Sequence, residues 1–275
     1  MTSPLQWQPL FTALPVETLR AIEAAAYDAW PAPQRATVAG WRLRAAAGIT
    51  GRANSVWALH NEESVALEEK LAAVEAFYAA QQLPARFQIH AAVQPAGLDA
   101  ALAARGYALI SPTHVQVAPL SRILTSTPTL RSTPHLEIEV AEEFDDDWFA
   151  TYARNESMDA KTTAVRAQIL EAIAGPRAFA RLDMEGAPAA VGLGVVGGDW
   201  LGIFCMSTYA AQRRRGAALA LLRALAIWGS FYEATNAYLQ VNDKNSPALA
   251  TYARAGFEPG YAYHYRVQQH AAAAP

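Results

Sequence analysis

Three apolar runs lie in close succession between residues 178 and 208: AFARLDM, PAAVGLGVV and WLGIFCMST. The pairs Glu185-Gly186 and Gly197-Gly198 separate them. Each run has the length and composition of a strand, and a glycine-containing pair between two strands signals a tight turn. The chain is thereby committed to a sheet whose apolar faces must be covered. A long helix follows, from about 215 to 232, with Leu222, Leu225, Ala226 and Gly229 on one face. LEIEV (136–140) alternates as a strand, and residues 145–155 and 162–173 have helical spacing. AYLQV (237–241) is a short buried strand, 247–255 a helix and 261–267 a final strand. The order β-α-α-β-β-β-α-β-α-β predicts an α/β fold with one mixed sheet.

The first half carries a shortened version of the same ending. WRLRAAA (41–47) and ANSVWAL (53–59) read as strands, 64–81 as a helix and RFQIH (86–90) as a strand. A helix over 97–105 ends in Gly106-Tyr107, and 113–117 closes as a strand. LDAALAARGY (98–107) overlays LATYARAGF (249–257) with Gly106 on Gly256, a weak internal repeat. Residues 119–134, PLSRILTSTPTLRSTP, are rich in Ser, Thr and Pro, and prolines disfavour helix before them. The expected organisation is a domain over 1–120, a linker over 121–134 and a second domain over 135–270. The tail HAAAAP is expected to fray.

Composition excludes several classes of function. The chain has 275 residues, 52% of them hydrophobic and 17% charged, which argues against disorder. Its net charge of -3, without a block of like charge, argues against nucleic acid or an anionic membrane as main partner. Cys205 is the only cysteine, so no internal disulfide is possible. The start, MTSPLQWQPLF, lacks a signal pattern, and no apolar run is long enough to span a bilayer. A cytoplasmic protein without a metal is expected.

The strongest chemical signal is Arg213-Arg214-Arg215-Gly216-Ala217-Ala218, between a strand and a helix start. The first helical turn has free N–H groups and the positive end of the macrodipole, which bind phosphate. Gly216 lets the backbone approach such a ligand, and the arginines add charge-assisted contacts. A second signal follows strand 237–241. Ser246 is read as an N-cap, Pro247 as the first helical residue and Gly256 as the left-handed residue after the helix. Tyr252 lies seven residues after Asn245, on the same side of that helix.

Together these stretches resemble the GNAT acetyltransferase family. Its cofactor motif Gln/Arg-x-x-Gly-x-Gly/Ala is matched by Arg213, Gly216 and Ala218. Its later motif Asn-x-x-Ala-x-x-x-Tyr-x-x-x-Gly-Phe is matched by Asn245, Ala248, Tyr252, Gly256 and Phe257. The resemblance covers residues 135–267. It implies that acetyl-CoA binds along Met206, Ser207 and Thr208, with the pyrophosphate on the loop from Arg213, Arg214, Arg215 and Gly216 to Ala217, Ala218 and Leu219. It further implies a hydrogen bond from Asn245 to the cofactor and proton donation by Tyr252 to the leaving thiolate. The acceptor would be a primary amine of a small molecule or peptide, attacking directly in a ternary complex.

The base is unassigned by this resemblance. Gln240 occupies a position where relatives often have Glu, and Glu156, Asp159, Asp183 and Asp243 carry no spacing argument. Cys205 in an apolar strand is read as packing. A non-catalytic acyl-CoA-binding module and a transferase for a longer acyl chain remain open alternatives. The first half lacks both motifs: Pro95, Leu98 and Leu102 stand opposite Asn245, Ala248 and Tyr252. The arrangement resembles tandem GNAT proteins with one degenerate domain, which here would shape the acceptor site. Trp41, Arg52, Asn54 and Trp57 are its candidate lining residues.

Overall fold

A computed structural model gives the structure of residues 8–129 and 136–269. The tail expected to fray and residues 130–134 of the expected linker lie outside the described residues. The first half runs α1 (Val16–Asp28), β1 (Gln34–Val38), β2 (Trp41–Ala45), β3 (Val56–Trp57), α2 (Leu67–Ala80), β4 (Arg86–Ile89), α3 (Leu98–Ala104), β5 (Ala108–Pro119) and α4 (Leu120–Ser126). The second runs β6 (Leu136–Ala141), α5 (Asp146–Asn155), α6 (Ala160–Glu171), β7 (Arg177–Met184), β8 (Ala187–Gly197), β9 (Trp200–Thr208), α7 (Ala217–Phe231), β10 (Asn236–Asn242), α8 (Ser246–Arg254) and β11 (Glu258–Val267). The element order read from the second half is the order found.

All strands join one 11-stranded mixed sheet, ordered β1-β2-β3-β4-β11-β5-β10-β9-β8-β7-β6. The centre of that order is an exchange. β5, the last strand of the first half, pairs antiparallel with β10 over Thr113–Pro119. β11, the last strand of the second half, pairs antiparallel with β4. The exchanged strands also pair with each other. The two β-α-β endings, β4-α3-β5 and β10-α8-β11, are thus related by pseudo-symmetry in the sheet. Gly106 and Gly256, matched in the sequence overlay, both take left-handed backbone after their helices, at φ 79° and 93°. The sequence-adjacent halves therefore share a sheet instead of folding as two separate ones.

Residues 120–126 of the expected linker are helical. Leu120 and Ile123 are buried, and Leu124 packs against the same core cluster as α7. Their i, i+3, i+4 spacing overrides the Ser/Thr content, and the Arg223 guanidinium holds the end of α4 through the Leu124 and Thr127 carbonyls. The strand expected over 53–59 is reduced to β3. Asn54 accepts from the Ala46 and Gly48 N–H groups at 2.8 and 3.0 Å. It also donates to the Ile49 and Thr50 carbonyls at 2.7 and 2.8 Å. A side chain that satisfies a loop this fully competes with strand pairing.

Alternate residues of β8, β9 and β10 feed two cores. Phe204, Tyr238, Val191 and Val195 meet α1, α5 and α6 on one face. Leu201, Ile203, Leu239 and Val241 meet α7 on the other, where α8 also packs. Trp148 anchors α5 to the first face. It is fully buried, and its Nε1 donates to the carbonyls of Ala180 and Gly192 at 3.0 and 3.2 Å. Trp148→Ala should lower unfolding stability by about 3–5 kcal/mol, because a large cavity forms under the sheet. Urea unfolding checks this; a loss below about 1 kcal/mol would contradict that role. Among the described residues no helix is long and apolar enough to cross a membrane.

Candidate active site

β9 and β10 separate at the centre of the sheet. They run parallel from the pair Asn236 and Trp200 to the pair Leu239 and Ile203, where the ladder stops. Beyond it each strand keeps its outer partner. β9 still pairs with β8 up to Thr208, and β10 pairs with β5 up to Asn242. A wedge opens whose walls are Phe204 to Thr208 and Gln240 to Asn242. Strand edges of this kind offer backbone N–H and C=O groups to an extended ligand.

A bulge helps to open the wedge. Between Val191 and Leu193 the β8–β9 register shifts, so that Cys205 and Met206 together stand opposite Gly192. Cys205 carries the strain, with φ 52°. Phe204 and Cys205 both pack on the face of α1, α5 and α6, whereas Met206 packs on the face of α7 and α8. A Cβ on Gly192 would lie 2.7 Å from the Met206 sulfur, so glycine makes room for the displaced strand.

On the α7 face, the loop after β9 ends in Gly216, which caps α7 with φ 93° and no capping side chain. The N–H groups of Ala217, Ala218 and Leu219 therefore point out of an uncapped helix start. Ala217 and Leu219 bury their side chains, so they can offer only backbone to a ligand. A Cβ on Gly216 would meet nothing within 4 Å, which leaves the cap open to an incoming anion. The three arginines divide. Arg213 Nε donates to the Thr208 carbonyl at 3.2 Å and ties the loop to β9. Arg214 is exposed with φ 62°. Arg215 pairs with Glu185 at 2.6 Å, on the neighbouring turn between β7 and β8.

Asn245, not Ser246, caps α8. Its side chain accepts from the Ala248 N–H at 3.3 Å, and Ser246 is the first helical residue. Tyr252 lies partly buried on α8 and packs against the same core cluster that holds Val241 and Phe257. Its ring meets Phe257 at 6.1 Å between centroids. Burial pushes its phenol up to about 12.

The model of the family described as "Probable histone acetyltransferase Rv0428c C-terminal" matches residues 17–266. The chain belongs to this family. It is a GNAT-type N-acetyltransferase, and the match runs unbroken across both halves. The "Uncharacterized N-acetyltransferase YobR" of Bacillus subtilis is 28% identical over 257 residues, covering 92% of this chain and 100% of that one. A "GCN5-related N-acetyltransferase from Kribbella flavida" has the same fold at TM-score 0.68, with 15% identity over 93% of this chain and 95% of the other. A "Tandem GNAT protein from the clavulanic acid biosynthesis pathway" aligns at TM-score 0.62 and 15% identity, over 78% and 74% of the two chains.

The acetyltransferase has a second set of polar groups on the opposite face of the wedge. Ser207 is buried, and its hydroxyl donates to Glu156 at the end of α5 at 2.5 Å. Gln240 accepts from the Tyr263 hydroxyl at 3.2 Å, while its own Nε2 is buried without a partner. Of the four carboxylates without a spacing argument, Glu156 alone reaches the open end of β9. Asp159 caps α6, Asp183 lies beside Arg181 at 3.4 Å, and Asp243 binds His114 at 2.9 Å. No short-range spacing links Glu156 to Ser207, because the pairing depends on how α5 crosses the sheet.

The lining candidates from the first half also divide. Trp41 belongs to the first half's own core and donates to the Gln94 carbonyl at 2.9 Å. Asn54 is consumed by its loop, and Trp57 is buried. Arg52 reaches the wedge: its guanidinium carbon lies 5.2 Å from the Phe204 ring centroid. Among the described residues no cluster of three metal-ligating side chains occurs.

Proposed function

We propose that this enzyme transfers the acetyl group of acetyl-CoA to a primary amine by direct attack in a ternary complex. The observation that carries the reading is the wedge between β9 and β10, with the uncapped start of α7 at its end. In this reading the pantetheine arm lies along Met206, Ser207 and Thr208 as a surrogate strand. The pyrophosphate takes the N–H groups of Ala217, Ala218 and Leu219, with charge from Arg213 and Arg214. Arg215 is engaged by Glu185 and has the weaker claim. Asn245 Oδ1 already accepts at its own helix start, which leaves both hydrogens of the amide nitrogen free to donate to acetyl-CoA.

Acetyl-CoA supplies an activated thioester carbonyl, and the protein supplies orientation and two proton positions. Glu156 takes the proton that the amine must lose, and Tyr252 donates to the departing sulfur from the opposite face. The first half contributes a wall of the acceptor site through Arg52 and Trp30, in keeping with its lack of a phosphate loop. Turnover of acetyl-CoA against an amine panel tests the proposal. Product above the hydrolysis background supports it, and none with any amine favours a binding module instead.

Glu156→Gln should lower kcat by about 100-fold near neutral pH, the lower end for a lost general base. The loss should shrink as pH rises and more amine is already neutral. A pH-independent loss would assign Glu156 a structural role.

A further inference from the structure

Two arginines on the acceptor side of the wedge lack the carboxylate partner that several other half-buried arginines have. Arg181 is surrounded by Glu139, Asp147 and Asp183, Arg177 has Glu143, and Arg266 has Asp99. Neither Arg52 nor Arg166 forms an ion pair among the described residues. Nη1 of Arg52 and Nε of Arg166 are buried with no hydrogen-bond partner. A guanidinium drawn out of water with unused donors is costly unless an anion completes it.

The two guanidiniums share one aromatic neighbour. Arg52 reaches in from the turn that Asn54 fixes, and Arg166 from α6. Their carbons lie 4.9 and 5.8 Å from the Trp30 ring centroid. Arg166 also donates to the Tyr152 hydroxyl at 2.5 Å. Arg52 also lies 5.2 Å from the ring centroid of Phe204, which precedes the bulge residue Cys205 at the open edge of β9. A guanidinium packed on an aromatic face keeps its N–H edge free for an in-plane carboxylate. Arg44 differs in using its Nη1 on backbone, donating to the Tyr27 and Trp30 carbonyls at 3.3 Å.

We propose that Arg52 and Arg166 bind a carboxylate of the acceptor, so that the substrate is an amino-acid-type amine. The inference rests on the acetyl-transfer reading for which group reacts, but the anion site stands on its own geometry. Polarity across the wedge fits a zwitterion. The Arg52 guanidinium lies over the Phe204 ring, and the Glu156 carboxylate lies three residues along the strand at Ser207. The amine end faces Glu156 and the carboxylate end faces the arginines.

Calorimetry with N-acetyl amino acids, each matched to its neutral amide, tests the site on the full chain, first without and then with CoA. At least one acid should bind about ten-fold or more tightly than its amide. Arg52→Gln and Arg166→Gln should each erase that preference and leave CoA affinity unchanged. Arg52→Lys should restore it in part, because the charge returns without the planar fork. Should Arg52→Gln fail to fold, judged by its melting curve, Arg166→Gln and the acid–amide comparison on the wild type still decide. Equal binding of every acid and its amide overturns the proposal. A persistent acid preference without turnover of any amine instead overturns the acetyl-transfer reading and leaves the anion site in place.

Discussion

Gly216→Glu should weaken acetyl-CoA binding by about 100-fold or more, equivalent to about 2.7 kcal/mol. The new carboxylate would stand at the uncapped start of α7, where the Ala217, Ala218 and Leu219 N–H groups are turned outward. It would compete for those donors as a capping side chain and repel a pyrophosphate at the same place. Backbone strain is a separate contribution. Any side chain at φ 93° costs on the order of 1–2 kcal/mol. Gly216→Ala carries the same strain without the charge, and its Cβ meets nothing within 4 Å. Calorimetry on both variants separates the effects: alanine should cost several-fold, and glutamate far more. Glutamate binding as well as alanine would place the phosphates elsewhere.

The parts of this site that are legible in the sequence are those built from neighbours in the chain. Gly216 is marked by its place between an apolar strand and an apolar helix. Tyr252 is marked by its two-turn distance from Asn245. The strand β9 is read with its observed bounds, because its residues alternate between two buried faces until the bulge. The bulge itself is not legible. Nothing in the run FCMST announces that Cys205 takes φ 52°, since that conformation is imposed by the register of β8.

The acceptor side depends on contacts far apart in sequence. α1 has Leu19, Ile22 and Ala26 at helical spacing, but Glu23 lies among them on the buried side. Its carboxylate is held there by Gln88 Nε2 at 3.0 Å and the Tyr261 hydroxyl at 2.5 Å. Those partners lie 65 and 238 residues away, so a local pattern shows only a polar interruption. The exchange of β5 and β11 is hidden for a similar reason. Both strands have the same apolar character, and either could close its own half. The exchange is settled by pairing geometry, with β5 matched to β10 on one edge and to β11 on the other.

Tyr252→Phe should lower kcat by about 10- to 100-fold while acetyl-CoA affinity changes less than about two-fold. The substitution removes one oxygen, and that hydroxyl makes no hydrogen bond to any described residue in the free protein. Packing of the ring against Phe257 and the core under α7 is kept, so the fold and the wedge persist. Loss of kcat alone is the signature of an interaction made only as the carbon–sulfur bond breaks. The pH profile adds an independent check. Burial holds the phenol at about 12, above its ordinary value near 10, so the donor form persists throughout the range in which the amine becomes neutral. The wild-type kcat should therefore rise or stay level from pH 7 to about 10, with no alkaline limb from this group. A fall in that range that disappears in Tyr252→Phe would show that the phenol ionises there, against its burial. Unchanged kcat in the variant would instead give the leaving thiolate its proton from solvent.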